Sequence, residues 1–294
     1  MKQLIVISGK GGTGKTSIVA ALASLGPAKV LADCDVDAAD LHLILHPEIL
    51  KTFEFISGKE ARIDPDLCTA CGLCAEHCAF EAVSPDFQVI PEHCEGCGVC
   101  SFVCPEGAAS MSPRSCGFWY KSRTRFGPLV HAALKMGEEN SGKLVTTVRE
   151  AARILAEEKG LDMVLVDGSP GIGCPVIAAL ANIDLALLVA EPTISAVHDV
   201  KRVFELTRHF KIPALVLVNK ADINPGLVKE IHAFCRENGV PVVGEIPYDQ
   251  KFTKAQIAGR TITEFDAKGL GREMERVWEN IKKHLDKIPA KGGS

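Results

Sequence analysis

The chain has 294 residues, 47% of them hydrophobic and 24% charged, which fits one large or two modest globular domains with a sizeable core. A net charge of −4 supplies no basic excess for nucleic acid or an anionic membrane surface. The apolar start is too short for a signal peptide, and no run approaches the ~18 apolar residues of a spanning helix. The expectation is a cytoplasmic protein whose twelve cysteines are reduced.

In chain order, the first expected strand is 3–8, and it runs straight into Gly9-Lys10-Gly11-Gly12-Thr13-Gly14-Lys15-Thr16. This matches G-x-x-x-x-G-K-[ST], between the strand and the helix (15–25) that the motif requires. The glycines let backbone N–H groups face phosphate oxygens, and the helix N-terminus adds its dipole. Lys15 is expected on the β- and γ-phosphates, and the Thr16 hydroxyl on Mg²⁺, with Ser17 following. A second strand, 29–33, ends in Asp33-Cys34-Asp35-Val36-Asp37, with Asp40 shortly after.

Eight of the cysteines lie between 68 and 104 and form an internal repeat with an offset of 26. The units are Cys68-x2-Cys71-x2-Cys74-x3-Cys78 and Cys94-x2-Cys97-x2-Cys100-x3-Cys104-Pro105, the spacing of bacterial two-cluster ferredoxins. Three close thiolates grip three irons of a cubane, and in that spacing the fourth cysteine crosses to the other cluster. One [4Fe-4S] cluster then takes Cys68, Cys71, Cys74 and Cys104; the other takes Cys94, Cys97, Cys100 and Cys78. Ala79 replaces the usual proline after the first run. Zinc is the competing reading of paired C-x2-C units. Residues 60–110 are strongly acidic, with nine carboxylates and one arginine. His77 and His93, beside cluster cysteines, read as surface imidazoles.

Arg114, Lys121, Arg123 and Arg125 follow, with Trp119 and Tyr120 among them, and read as a loop facing a partner or a phosphate. Helix 144–158 precedes strand 163–167, which ends Val166-Asp167-Gly168-Ser169-Pro170-Gly171. Asp167 is expected to hold Mg²⁺, and Gly171 to let backbone approach the γ-phosphate. Cys174 reads as a buried structural thiol. Strand 185–190, helix 195–210, strand 214–219, helix 225–237 and strand 240–246 continue the alternation, with Asn219-Lys220-Ala221-Asp222 after the fifth strand. Unbroken apolar strands between helices imply a parallel sheet covered on both faces. Helix 270–287 carries Leu270, Met274, Val277, Ile281 and Leu285 on one face; its basic residues are matched by acids, so it reads as packing and not as a membrane helix. The polar tail, 290–294, reads as frayed.

The second lysine of the loop, Lys10, makes the motif K-G-G-x-G-K-[ST], and here the chain resembles the deviant Walker-A ATPases of the MinD, ParA, Mrp and nitrogenase-iron-protein group. The resemblance extends over nearly all of the chain outside the cysteine segment. It implies an ATP-dependent homodimer in which Lys10 reaches the partner subunit's nucleotide. It further implies that Asp35, in a D-x-D switch, orients the attacking water, that Asn219 meets adenine, and that Pro247 flanks the base. N-K-x-D alone would equally suit guanine, and the loop type favours ATP.

The expected fold is therefore α/β, a doubly wound, mostly parallel P-loop NTPase sheet (1–58 and 113–294) with an inserted small α+β bacterial-type ferredoxin domain (59–112). The expected function is Mg²⁺-dependent ATP hydrolysis, with Lys10, Lys15 and Asp35 catalytic, coupled to iron–sulfur or metal-cluster assembly or delivery to a protein acceptor. The alternatives are ATP-gated electron donation to a redox partner and, third, a positioning or partition ATPase. No nucleic-acid or membrane partner is expected.

Overall fold

The computed structural model describes residues 1–37, 39–135, 138 and 141–289. The tail reading therefore lies outside the described residues. The elements are β1 (Lys2–Ser8), α1 (Lys15–Ala23), β2 (Val30–Asp33), α2 (Leu41–Leu45), β3 (Glu48–Ile63), α3 (Leu73–Glu76), α4 (Val99–Val103), β4 (Ala109–Thr124) and β5 (Gly127–Leu134). They continue with α5 (Ser141–Glu158), β6 (Met163–Asp167), α6 (Cys174–Leu180), β7 (Leu185–Ala190), α7 (Ile194–His209), β8 (Ala214–Asn219), α8 (Pro225–Glu237), β9 (Val242–Ile246), α9 (Lys251–Ile257), α10 (Ile262–Phe265) and α11 (Leu270–Leu285).

Among the described residues nine strands form one sheet in the order β3-β4-β5-β2-β6-β1-β7-β8-β9. The neighbours from β5 to β9 pair in parallel. Two residues join β4 to β5, a connection only antiparallel neighbours allow. The expected mostly parallel α/β sheet is thus present; its six predicted strands lie close to their expected positions, and β3, β4 and β5 are additional. Apolar runs such as Leu4–Ile7 and Leu185–Ala190 are buried on both faces.

Two compact units divide the chain: 1–52, 119–133 and 141–294 in the first, 53–118 and 134–140 in the second. In the first unit, α11 buries Leu270, Met274, Val277, Ile281 and Leu285 against the core cluster that includes Leu4, Leu217 and Val243, as its periodicity predicts. No helix among the described residues is long and apolar enough to cross a membrane.

Two helix ends are closed by buried basic side chains. Lys29, 2% exposed, donates to the carbonyls of Ala23 (3.2 Å) and Leu25 (2.5 Å) after the C-terminus of α1. Burial pushes its ammonium down to about 8. Arg149 on α5 donates to Gln3 Oε1 at 2.6 Å and to the Ala181 carbonyl at the end of α6.

The arginines expected to face a partner or phosphate are engaged within the protein. Arg125 donates to the carbonyls of Leu45 (2.9 Å), Ile44 and Gly259 (3.1 Å each) and pairs with Glu264 at 2.8 Å. Arg123 pairs with Glu48 at 2.5 Å. In the second unit Arg114 pairs with Glu138 at 2.8 Å and donates to the Cys94 carbonyl. The stretch is a strand and hairpin tip: Arg114 and Arg125 reach neighbouring backbone, while Arg123 forms an ion pair at the surface.

Candidate functional site: a nucleotide cavity and a cysteine-lined unit

Between β1 and α1 the backbone turns through left-handed Gly12 (φ 79°) and Gly14 (φ 86°). A Cβ on Gly14 would stand 2.4 Å from Asn219 Nδ2, so the position needs glycine for space as well as for conformation. Asn219 Nδ2 donates to the Thr13 carbonyl at 2.7 Å, tying the end of β8 to the loop. The loop borders a cavity of ≈ 420 Å³ whose wall holds Gly11, Gly12, Thr13, Gly14, Lys15, Thr16, Ser17, Asp35, Asn219 and Pro247 of the expected residues, together with Asp40, Pro170 and Tyr248. Gly9, Lys10, Asp167 and Gly171 lie outside that wall. A Cβ on Gly9 would meet Asp199 of α7 at 2.4 Å, and the Gly171 N–H donates to the Ser8 carbonyl at 2.9 Å.

Lys15 is 6% exposed and stands 2.5 Å from Asp167 Oδ1 and 3.3 Å from Asp35 Oδ2. Burial alone would lower the pKa of its ammonium, but the charges of Asp167 and Asp35 outweigh that and hold it above the usual value. Asp33 is fully buried, and burial, reinforced by the charge of Asp167, pushes its carboxyl well above the usual range. Burial raises Asp35 too, against the opposing charge of Lys15. Asp33 Oδ2, Asp167 Oδ2 and Thr13 Oγ1 are buried with no hydrogen-bond partner among the described residues. Two unpartnered carboxylate oxygens beside the phosphate loop are the hard donors that Mg²⁺ takes. Cys34, between the switch aspartates, is buried, and desolvation raises its thiol pKa.

Lys10 Nζ pairs with Glu191 Oε1 at 2.8 Å and also donates to Thr193 Oγ1 at 3.1 Å and Ser195 Oγ at 3.2 Å. The other oxygen of Glu191 lies 2.9 Å from Lys220 Nζ, which also donates to the Gly12 carbonyl at 2.9 Å. Burial would raise Glu191, yet the hydrogen bonds from Lys10 and Lys220 hold it below the usual carboxylate range. Glu191 was not singled out from the sequence, where it is one acid at a strand end; only the facing of Lys10 and Lys220 reveals it. At the base end, Asp222 Oδ1 accepts the Tyr248 N–H at 2.5 Å, so the carboxylate that would read guanine is engaged. Cys174, expected to be buried, is exposed: it opens α6 at the surface.

The second unit has its own organisation. One small cavity is lined by Cys68, Cys71, Cys74 and Cys104, with Ile63 and Phe87. The other is lined by Cys78, Cys94, Cys97 and Cys100, with Ala61, Val89 and Met111. The Ala82 N–H donates to Cys78 Sγ at 3.3 Å and the Ala61 N–H to Cys94 Sγ at 3.5 Å. Backbone N–H groups of 106–109 around Cys104, those of Ala109 foremost, lower its thiol pKa. Among the described residues no three His, Cys, Asp or Glu side chains close around a single ion. His77 and His93 are exposed, as expected.

A glycine-rich loop at the end of a parallel strand, with buried aspartates delivered by two neighbouring strands, defines a P-loop nucleotide-binding protein. The profile of the CobQ/CobB/MinD/ParA nucleotide binding domain matches residues 4–262, and the chain belongs to that family. It is an ATP-binding ATPase of the MinD/ParA type. It is 37% identical over 225 residues to an uncharacterized protein of Methanocaldococcus jannaschii, covering 76% of this chain and 79% of that one. Its fold is similar to the septum site-determining protein MinD of Pyrococcus horikoshii complexed with Mg-ADP, with a TM-score of 0.59, 17% identity and 97% of each chain covered. Over 125 residues it is 25% identical to the cytosolic Fe-S cluster assembly factor Nubp1 homolog of Drosophila melanogaster, covering 36% of this chain and 40% of that one.

Proposed function

We propose that the second unit carries two [4Fe-4S] clusters, and that the ATPase ties nucleotide state to passing a cluster or metal to a protein acceptor. The observation that carries this reading is the 3 + 1 sorting of the eight cysteines. Each cavity takes three thiols from one run and the fourth from the other. Thiols spread around a cavity suit a cubane, which gives each sulfur its own iron; zinc would draw four sulfurs to about 2.3 Å of one centre. The backbone N–H groups on Cys78 and Cys94 suit thiolate ligands. The partial likeness to an iron–sulfur assembly factor points the same way.

At the other site, loop N–H groups and Lys15 bind the phosphates, with Thr16, Asp33 and Asp167 supplying oxygens for Mg²⁺. Bound Mg²⁺ neutralises charge on the phosphates. Asp35, on the cavity wall, orients the attacking water. Lys15 exchanges its carboxylate partners for phosphate oxygens as nucleotide enters. Lys10 serves the nucleotide of a second copy, which makes the active form an ATP-dependent homodimer.

The test is anaerobic purification with and without ATP, followed by iron and sulfide analysis and transfer to an apo-acceptor. Acceleration of cluster transfer by ATP is expected. If ATP leaves transfer unchanged and shifts only the reduction potential, electron donation replaces delivery.

A further inference from the structure

We propose that Glu191 is a positioning residue of the ATPase, a carboxylate that keeps Lys10 inside its own chain until the nucleotide of a second copy draws it out. The inference rests on the reading that Lys10 acts across a dimer. Glu191 sits one residue past β7 and is 6% exposed. Its two oxygens hold two ammonium groups of the loop region, Lys10 at 2.8 Å and Lys220 at 2.9 Å. Thr193 and Ser195 complete a cradle around Lys10 with their hydroxyl oxygens. Lys220 is in turn fastened to the loop through the Gly12 carbonyl. A lysine held by one carboxylate and two hydroxyls has its three donors satisfied. It leaves only for an acceptor of greater charge, and a triphosphate presented by another chain is such an acceptor.

Two consequences separate this role from simple bracing of the loop. First, Glu191 opposes dimerisation without touching nucleotide, so neutralising it shifts the monomer–dimer balance and leaves the affinity of a single chain for ATP alone. Second, its effect passes through Lys10 and vanishes when Lys10 is absent. Lys220 keeps its bond to Gly12 and Asn219 its bond to Thr13 when Glu191 is neutral, so the loop keeps both ties to the end of β8.

The experiment measures ATP hydrolysis per chain against protein concentration, together with equilibrium binding of ATP under magnesium-free conditions where turnover stops. For Glu191→Gln, the concentration giving half-maximal activity should fall about tenfold, with the ATP dissociation constant changed less than threefold. Ser195→Ala, which takes one hydroxyl from the cradle and leaves the Glu191–Lys220 pair intact, should move the curve the same way by a smaller step. Glu191→Gln added to Lys10→Ala should change nothing further. An unshifted concentration curve in Glu191→Gln, or a loss of ATP affinity that parallels the loss of hydrolysis, overturns the proposal. Should Lys10→Ala itself hydrolyse at the native rate, the trans reading fails on its own account, a result distinct from an unshifted Glu191→Gln.

Discussion

Asp33 and Asp167 are direct partners across two adjacent parallel strands, β2 and β6, and both are 0% exposed. Two carboxylates side by side in a dry sheet repel each other, and Lys15 answers only part of that charge. The pair is what a cation-binding ATPase must maintain at a cost when nothing is bound. Burial, then the charge of Asp167, raises the Asp33 carboxyl, so the folded state holds a proton that the unfolded chain has released. Stability from this group is present at low pH and is lost as pH rises from the unfolded value towards the folded one. Asp33→Asn should therefore stabilise the nucleotide-free protein at pH 7 by roughly 1–2 kcal/mol and weaken Mg-nucleotide binding. Thermal melts with and without Mg-ATP check this; a variant destabilised in both states contradicts it.

The two lysines of the loop should separate cleanly. Lys15→Ala leaves three buried aspartates uncompensated and removes the phosphate contact, so nucleotide binding should be lost. Lys10→Ala should bind ATP as a monomer and lose at least ~100-fold in hydrolysis, the scale of one electrostatic contact to a transition state. Nucleotide titration followed by phosphate release measures both.

Anaerobically purified protein should hold about eight iron and eight sulfide per chain, from two cubanes. Because Cys104 shares a cavity with Cys68, Cys71 and Cys74, Cys104→Ala and Cys68→Ala should each halve the iron and leave the same residual paramagnetic signal. Cys78→Ala should leave the other one. Zinc without sulfide would end the cluster reading.

His131 on β5 accepts from or donates to Ser122 Oγ at 2.9 Å and stacks on Tyr120, with ring centroids 4.9 Å apart. Burial, helped by neighbouring His42, pushes its imidazole down to about 4. The unfolded chain binds the proton near 6.5, so this histidine's contribution to stability is full above that pH and is lost as pH falls towards 4. The loss amounts to about 3 kcal/mol at 1.36 kcal/mol per pH unit. In His131→Gln that portion of the pH dependence should be missing from chemical-denaturation curves.

What the sequence made legible was whatever repeats or alternates. Leu185–Ala190 and Ala214–Asn219 read as strands because burial on both faces leaves an unbroken apolar run. The strands β3 and β4 escaped that reading: most of their residues are exposed or half-buried, so no unbroken apolar run marks them, and Gly58 and Pro113 interrupt the sequence pattern. Gly11 to Ser17 and Asn219 lie together on one cavity wall, and the motif spacing is what singled them out. Glu191 stayed invisible because its meaning lies in Lys10 and Lys220, 181 and 29 residues away by the separations of 10 and 220 from 191. The same distance in sequence hid the service of Arg125 to α2.

That last contact bears on how Asp35 can move. The stretch carrying Asp35 leaves β2 at Asp33, and beyond it Arg125 grips the carbonyls of Ile44 and Leu45 at the far end of α2. Cys34 is pinned on both sides, its N–H donating to the Asp167 carbonyl at 2.8 Å and its carbonyl accepting from Ser169 Oγ at 2.7 Å, and Asp35 lies 3.3 Å from Lys15 Nζ. A shift of Asp35 between nucleotide states therefore starts from its tie to Lys15, with Cys34 held on one side and α2 on the other. Arg125→Ala would release the α2 side alone, and the aspartate proposed to aim the water would lose one of its two fixed neighbours.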